Sequence, residues 1–299
     1  MFVEKISKNM GKLLIKEVDY SVAKEMIVKN HYSKKWNTSF GKINIGIFKD
    51  NKLLGVAVFG NMMNPNSHKK ITELGKDSVI ELNRLWIDDE LGHNAETLLL
   101  GACWKIIKKT HPEIKFIQSF ADGRLGCGTI YKASNFKYFG YTESLFFRDI
   151  KNDEVFHKVP LENTKRPLGF LGKNYLYLDG NLEPFKVKTY RYIYPLYKKH
   201  EIKLKEVEYP KYDKGIIPVS YSHSPSLLGR LALMYNEIGD EEYMKKCILE
   251  MKKHGLSKED IQEHVDNQKQ NKSFIWFKNE YLPNNKDKLK NNISKYKYS

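Results

Sequence analysis

Arg84 stands inside the otherwise apolar run Val79–Ile87, and a cation kept beside Leu82 and Trp86 has two uses. It binds an anionic ligand group, or it is a structural partner for an acid such as Glu81 three positions earlier. Strict strand alternation would put Glu81, Asn83 and Leu85 on one face and Leu82, Arg84 and Trp86 on the other. Ser119 and Asp122 end a second strand-like run, directly before Gly123-Arg124. A carboxylate there accepts a proton from an attacking group or orients it, unless it only ties down its own turn. Tyr131 opens a short helix after Gly126-Cys127-Gly128, where core packing is one use for its ring. His31 and Tyr32 follow another helix and precede Trp36. They suit a proton carrier and a donor or stacking surface; the alternative is a histidine that bonds the last carbonyls of its helix.

Two stretches place most of these groups. Residues 81–101 and 119–140 each read as strand, glycine-bearing polar turn and helix, so polar side chains and free backbone N–H groups gather where strands end and helices begin. Around them the spacing predicts a helix over 19–30, with Val22, Ala23, Met26 and Ile27 on one side. Strands follow over 43–48 and 53–59, joined by a four-residue polar turn. Then come a strand over 79–87, a helix over 95–109, a strand over 115–120, a helix over 129–134 and a strand over 138–147. The order is that of an α/β protein. Beyond Asp149 the chain reads as further strand-like pieces, ending in a two-faced strand over 186–196. Composition changes near Lys198, and three helical patterns over 226–238, 240–254 and 257–268 follow. The expected division is therefore 1–197, carrying the site, and 198–299, basic and mainly helical. Its last segment, 284–299, has too few apolar residues to predict packing.

With 299 residues, 41% of them hydrophobic, the chain can bury a sizeable core. Its net charge of +15 and its 19 tyrosines suit a polyanionic partner, although Lys-rich solvated faces give the same totals. Arg124, Lys132, Lys137, Arg166 and Arg191, with Arg148, Lys165 and Lys188, are candidate phosphate contacts, and Trp36 a candidate stacking residue. Three scattered cysteines argue against a disulfide framework or thiolate zinc site and suit a reducing compartment. No apolar run approaches the length of a membrane span, so a soluble cytoplasmic protein is expected. A metal ion at His31 is left open, because spacing supplies no ligand set.

The pieces His31-Tyr32-Ser33, Glu81-Leu82-Asn83-Arg84-Leu85, Gly92-His93-Asn94-Ala95-Glu96, Ser119-Phe120-Ala121-Asp122, Gly128 to Phe136 and Tyr190 to Tyr194 resemble those of the phage Mom proteins. The resemblance runs from about Gly11 to Leu196. It implies a GNAT-like mixed central sheet flanked by helices, with the helical C-terminal region as an extension. It also implies transfer of a carbamoylmethyl group to the exocyclic N6 amine of adenine in double-stranded DNA, protecting phage DNA from restriction. The implied donor is acetyl-CoA or a derivative, held near Leu85, Ile87, Gly92, His93, Asn94 and Ala95. Acetyltransferases of that fold commonly carry a glycine-rich Arg/Gln-x-x-Gly-x-Gly/Ala loop, whereas here the turn is Asp89-Glu90-Leu91-Gly92-His93-Asn94-Ala95. On this reading His31, Tyr32, Arg84, Ser119, Asp122 and Tyr131 are the catalytic set, with Tyr131 in a position that resembles the tyrosine that protonates a departing thiolate in many acetyltransferases. Because a stacked, paired amine cannot reach a strand-end pocket, the target base must leave the duplex. An ordinary acetyltransferase of a protein or small-molecule amine, and a non-enzymatic DNA-binding factor, are the rival readings.

Overall fold

The computed structural model describes residues 1–297. Contacts divide it into two compact units, residues 1–142 with 188–215, and residues 143–187 with 216–299. The expected boundary at 197/198 runs across these units, since 143–187 cluster with the helical region and 198–215 with the sheet.

The first unit is built on a sheet. Strands β1 (Phe2–Ser7) and β2 (Gly11–Glu17) form a hairpin that the sequence reading did not predict. Helix α1 (Tyr20–Asn30) leads to the expected hairpin of β3 (Ile43–Lys49) and β4 (Lys52–Gly60). Next come β5 (Val79–Ile87), helix α2 (Ala95–Thr110), β6 (Phe116–Asp122), α3 (Thr129–Ala133) and β7 (Lys137–Asp149), whose last residues belong to the second unit. The strand order is β1-β2-β3-β4-β5-β6-β9-β7, with β9 (Leu182–Pro195) entered from the second unit. β5 and β6 are parallel, while β1 to β5 are antiparallel in succession. A mixed sheet flanked by helices, with a helical C-terminal region, is what the sequence led us to expect. One face buries Leu99, Ala102, Cys103 and Ile106 of α2 against Ile45, Ile47, Ala57 and Phe59. The other holds Ala23 and Ile27 of α1 against Val56 and Val58. Of the side of α1 read from spacing, Ala23 and Ile27 are buried and Met26 packs against them, while Val22 is exposed.

Two features of β5 position the site. Val58 pairs with Arg84 but Phe59 pairs with Leu82, so β5 carries one extra residue at Asn83. Leu82, Leu85 and Ile87 therefore all pack on the α2 side, and Trp86 on the α1 side beside Phe40. The alternation expected from sequence, with Leu82 on the face of Arg84 and Trp86, fails at this bulge. Second, β5 pairs with β6 only from Val79 to Glu81, against Phe116 to Gln118. Beyond that point the two strands have no ladder between them and leave a cleft.

The second unit is mainly helical. It contains β8 (Val155–His157), paired with the end of β7, and β10 (Ile216–Pro218), paired with the start of β9. Its helices are α4 (Val159–Glu162), α5 (Pro167–Leu178), α6 (Pro225–Ile238), α7 (Glu241–Lys253), α8 (Lys258–Lys269), α9 (Lys272–Trp276) and α10 (Lys286–Lys297). α6 to α8 match the three patterns read from sequence. α5 corrects the expectation of strand-like pieces: it starts with Pro167 in its first turn and is buried nearly all round, so no apolar stripe marked it. α10 corrects the expectation for 284–299 as far as Lys297, because a helix can anchor on few residues. Leu289 is fully buried in the core of this unit, and the Tyr296 ring lies against Gly172 of α5. Tyr298 and Ser299 lie outside the described residues.

Candidate active site

The cleft between the diverging ends of β5 and β6 encloses about 450 Å³. Arg84, Leu85 and Ile87 from β5, Phe120 and Asp122 from β6, Tyr131 from α3, and His31 and Tyr32 after α1 all line it. Segments far apart in sequence thus converge, as the reading of residues 81–101 and 119–140 required.

Ser119 is fully buried behind Tyr131. Its Oγ donates to the Leu82 carbonyl at 2.9 Å and lies 2.9 Å from the Tyr131 hydroxyl, so one serine ties β6 to β5 and fixes the phenol. The Tyr131 ring stacks on Tyr192 at 4.9 Å, and burial pushes its hydroxyl up to about 12, so it is a neutral phenol at physiological pH. The packing and functional readings of Tyr131 are both realised, by ring and by hydroxyl. Gly128 makes the approach of α3 possible: its φ is +88°, and a Cβ there would stand 2.7 Å from that of Ala121.

Arg84 makes no ion pair with Glu81. Its Nη1 donates to the Asn83 carbonyl at 2.6 Å, its guanidinium lies 4.5 Å from the centre of the Phe40 ring, and its buried Nε has no partner. Glu81 is bonded instead by Asn83 at 3.1 Å and Gln118 at 3.3 Å, and burial raises its carboxyl above the usual range. A half-buried cation with an unspent donor at a cleft wall is suited to an anion or a developing negative charge. This Glu81-Asn83-Gln118 cluster was missed as part of the site; the signal was a carboxylate and two amides inside apolar strands.

His31 is 7% exposed, and its ring does not bond the last carbonyls of α1. Its Nδ1 accepts the Ser33 N–H at 3.2 Å, which leaves the hydrogen of the neutral ring on Nε2. Burial first, and Arg84 second, lower it to about 4. Tyr32 packs on His31 with ring centres 4.3 Å apart and keeps 55% of its surface exposed. The Asp122 carboxylate is gripped by Arg124 through the backbone N–H at 3.0 Å and two guanidinium nitrogens, which holds it rigidly at the cleft.

Other candidates lie apart. Gly92, His93 and Asn94 are exposed before α2 and Ala95 is buried, while Glu96 lines the cleft. Trp36 donates to the Tyr20 hydroxyl at 2.6 Å and packs against Phe40. Lys132 lies over the Tyr209 ring, Lys137 pairs with Glu206 at 2.6 Å, and Arg191 lies over Phe120 with a buried, unpartnered Nε. Arg166 precedes α5 in the second unit. Sequence gave no sign of Phe120, Leu125, Thr129 or Tyr212 in the cleft wall, because tertiary approach alone brings them there. Among the described residues there is no group of three or more His, Cys, Asp or Glu able to hold a metal ion, and no helix long and apolar enough to cross a membrane.

The sequence profile of the Mom protein family matches residues 12–211. The chain belongs to the Mom family. It is 33% identical over 187 residues to the methylcarbamoylase Mom of Escherichia phage Mu, covering 60% of this chain and 74% of that one. The matched region includes every residue of the cleft except Tyr212. Among solved structures, a GNAT-family acetyltransferase from Desulfovibrio desulfuricans aligns at 8% identity with a TM-score of 0.35, over 62% of this chain and 99% of that one. An N-acetyltransferase from Staphylococcus aureus aligns at 10% identity with a TM-score of 0.34, over 62% and 97%.

The turn before α2, where the resemblance places the diphosphate of a coenzyme A donor, is acidic. Asp88, Asp89, Glu90 and Glu96 surround it in sequence, and Lys52 is spent on Glu90 at 2.6 Å. The N–H groups at the start of α2 favour an anion, but the carboxylates oppose it.

Proposed function

We propose that this Mom-family protein transfers a carbamoylmethyl group to the N6 amine of adenine in double-stranded DNA, acting on a base turned out of the helix into the cleft between β5 and β6. The observation that carries the reading is the convergence of Arg84, Asp122, Tyr131, His31 and Tyr32 on that one cleft, within the part of the chain that defines the family. The Mu relative bears the name methylcarbamoylase, and the net charge of +15 suits a phosphate backbone.

The chemistry sets the requirements. The N6 lone pair is delocalised into the purine ring, so the amine is a weak nucleophile and depends on positioning and on removal of charge as the new N–C bond forms. Asp122, immobilised by Arg124, accepts a hydrogen bond from the amine and takes the proton it sheds. His31, neutral with a hydrogen on Nε2, donates to an acceptor nitrogen of the base. Arg84 faces the negative charge that develops on the departing group, and Tyr131, oriented by Ser119, is the proton donor beside it. Lys132, Lys137, Arg166 and Arg191 are proposed to meet the DNA backbone. The donor supplies the activated carbamoylmethyl group; no step is assigned to a coenzyme A diphosphate.

The test is restriction. Plasmid from cells making the wild-type protein should resist enzymes whose sites contain adenine, and plasmid from cells making Tyr131→Phe or Arg84→Ala should be cut normally. Plasmid cut to completion despite folded wild-type protein would overturn the proposal.

A further inference from the structure

Tyr212 lies one residue beyond the region that the family profile matches. The residue is 76% exposed, so packing does not account for an aromatic side chain there. The strap that carries it is nonetheless fastened at both ends. The Tyr209 hydroxyl donates to the Phe136 carbonyl. Gly215 donates to the Gly123 carbonyl at 2.7 Å and accepts from the Lys188 N–H at 2.7 Å, while Gly123 donates to the Lys188 carbonyl at 2.9 Å. These three backbones meet too closely for side chains: a Cβ on Gly123 would stand 2.4 Å from the Lys188 carbonyl oxygen.

The strap is thereby set against the turn that follows Asp122, and Tyr212 becomes part of the cleft wall above Gly126. A Cβ on Gly126 would lie 3.5 Å from the Tyr212 ring. Tyr32 at 55% and Leu125 at 58% are the other exposed apolar side chains of the same cleft. Exposed apolar groups around a cleft that also presents Arg84, Asp122 and Tyr131 are complementary to a planar ring with hydrogen-bonding edges.

We infer that Tyr212 is the residue on which the extruded adenine stacks, so that a residue outside the family-wide region sets how tightly the target base is held. This rests on the DNA-modifying reading above. A base-aromatic stack is worth roughly 5- to 150-fold in affinity, and every base offers a π-face, so Tyr212 contributes retention while the polar side chains of the cleft contribute adenine identity.

The experiment uses the full chain and two duplexes at one salt concentration: one with an adenine opposite an abasic site, which lowers the cost of extrusion, and one with the adenine itself replaced by an abasic site. Wild type should prefer the adenine duplex. Tyr212→Ala should bind that duplex roughly tenfold more weakly and the abasic duplex unchanged, with the same melting temperature because the side chain is exposed; Tyr212→Phe should behave as wild type. If Tyr212→Ala keeps the wild-type preference, or if Tyr212→Phe loses it, the stacking role is wrong and the DNA-modifying reading stands. If wild type shows no preference, base extrusion itself fails and the inference falls with it.

Discussion

The sheet unit and the helical unit treat buried polar groups in opposite ways. In the helical unit the fully buried His223 donates from Nε2 to Asn174 Oδ1 at 2.5 Å and lies 2.9 Å from the Tyr221 hydroxyl at Nδ1, while the Asn174 amide donates to the Leu161 and Phe170 carbonyls. Nearby, Tyr175 donates to Asp240 and Tyr243 to Asp179. In the sheet unit Asn44, Asn83, Arg84, Ser134, Arg191 and His200 each keep a buried polar atom without a partner; among the described residues, every such atom is in this unit. An unpaired buried polar atom costs roughly 1–3 kcal/mol. Two of them, on Asn83 and Arg84, belong to residues lining the cleft. Satisfied networks hold a fold together, whereas an unspent donor such as Arg84 Nε at a cleft wall is capacity kept for a ligand.

Substitutions can break or sharpen that contrast. The largest expected effect is on Arg84: Arg84→Ala should lower modification roughly 10²- to 10³-fold, the range for losing one electrostatic stabiliser, with little loss of melting temperature because no ion pair is broken. Single-turnover assays beside thermal melts would decide it; a collapse of stability would make Arg84 structural. His223→Ala should do the reverse. It leaves Asn174 Oδ1 without its donor and takes one partner from the Tyr221 hydroxyl in the helical unit, and should cost about 2–4 kcal/mol in urea unfolding, with activity per folded molecule retained.

Protonation gives a smaller and graded effect. Burial lowers His223 from 6.5 to about 3, so between these values the unfolded chain binds the proton and the folded chain does not. Stability should therefore fall as pH falls below 6.5, by up to about 1.4 kcal/mol per pH unit from this residue. His31, lowered to about 4, adds a contribution of the same sign. Urea midpoints measured from pH 7 to pH 4.5 should slope less in His223→Asn than in wild type, and parallel slopes would count against a neutral buried imidazole. The smallest effect is expected of Glu81→Gln, which keeps an acceptor oxygen for Asn83 or Gln118 while removing a buried charge. Stability should change by no more than about 1 kcal/mol, while activity drops several-fold because the carboxylate no longer balances Arg84. Unchanged kinetics would detach this cluster from the cleft.

Much of this geometry was legible in the residues. Asp122 ends a strand and Tyr131 lies in the first turn of a helix, junctions that short-range periodicity is enough to locate, while Arg84 is a charge inside an apolar strand. The polar types gathered there marked them as more than turns. What escaped depends on register and distant contact. The bulge at Asn83 moves Leu82 to the face of Leu85 and leaves no trace in apolar spacing. Helix α5 is apolar on nearly every side, so it offered no stripe to distinguish it from strands. The strap carrying Tyr212 reaches the cleft through backbone bonds to Gly123 and Lys188, pairings between segments far apart in the chain.

Nucleoside mass spectrometry of DNA from cells making the protein tests the central claim most directly. The account predicts carbamoylmethylated deoxyadenosine with wild type and none with a folded Arg84→Ala protein. Unaltered deoxyadenosine from folded wild type, or equal modification by both proteins, would contradict it.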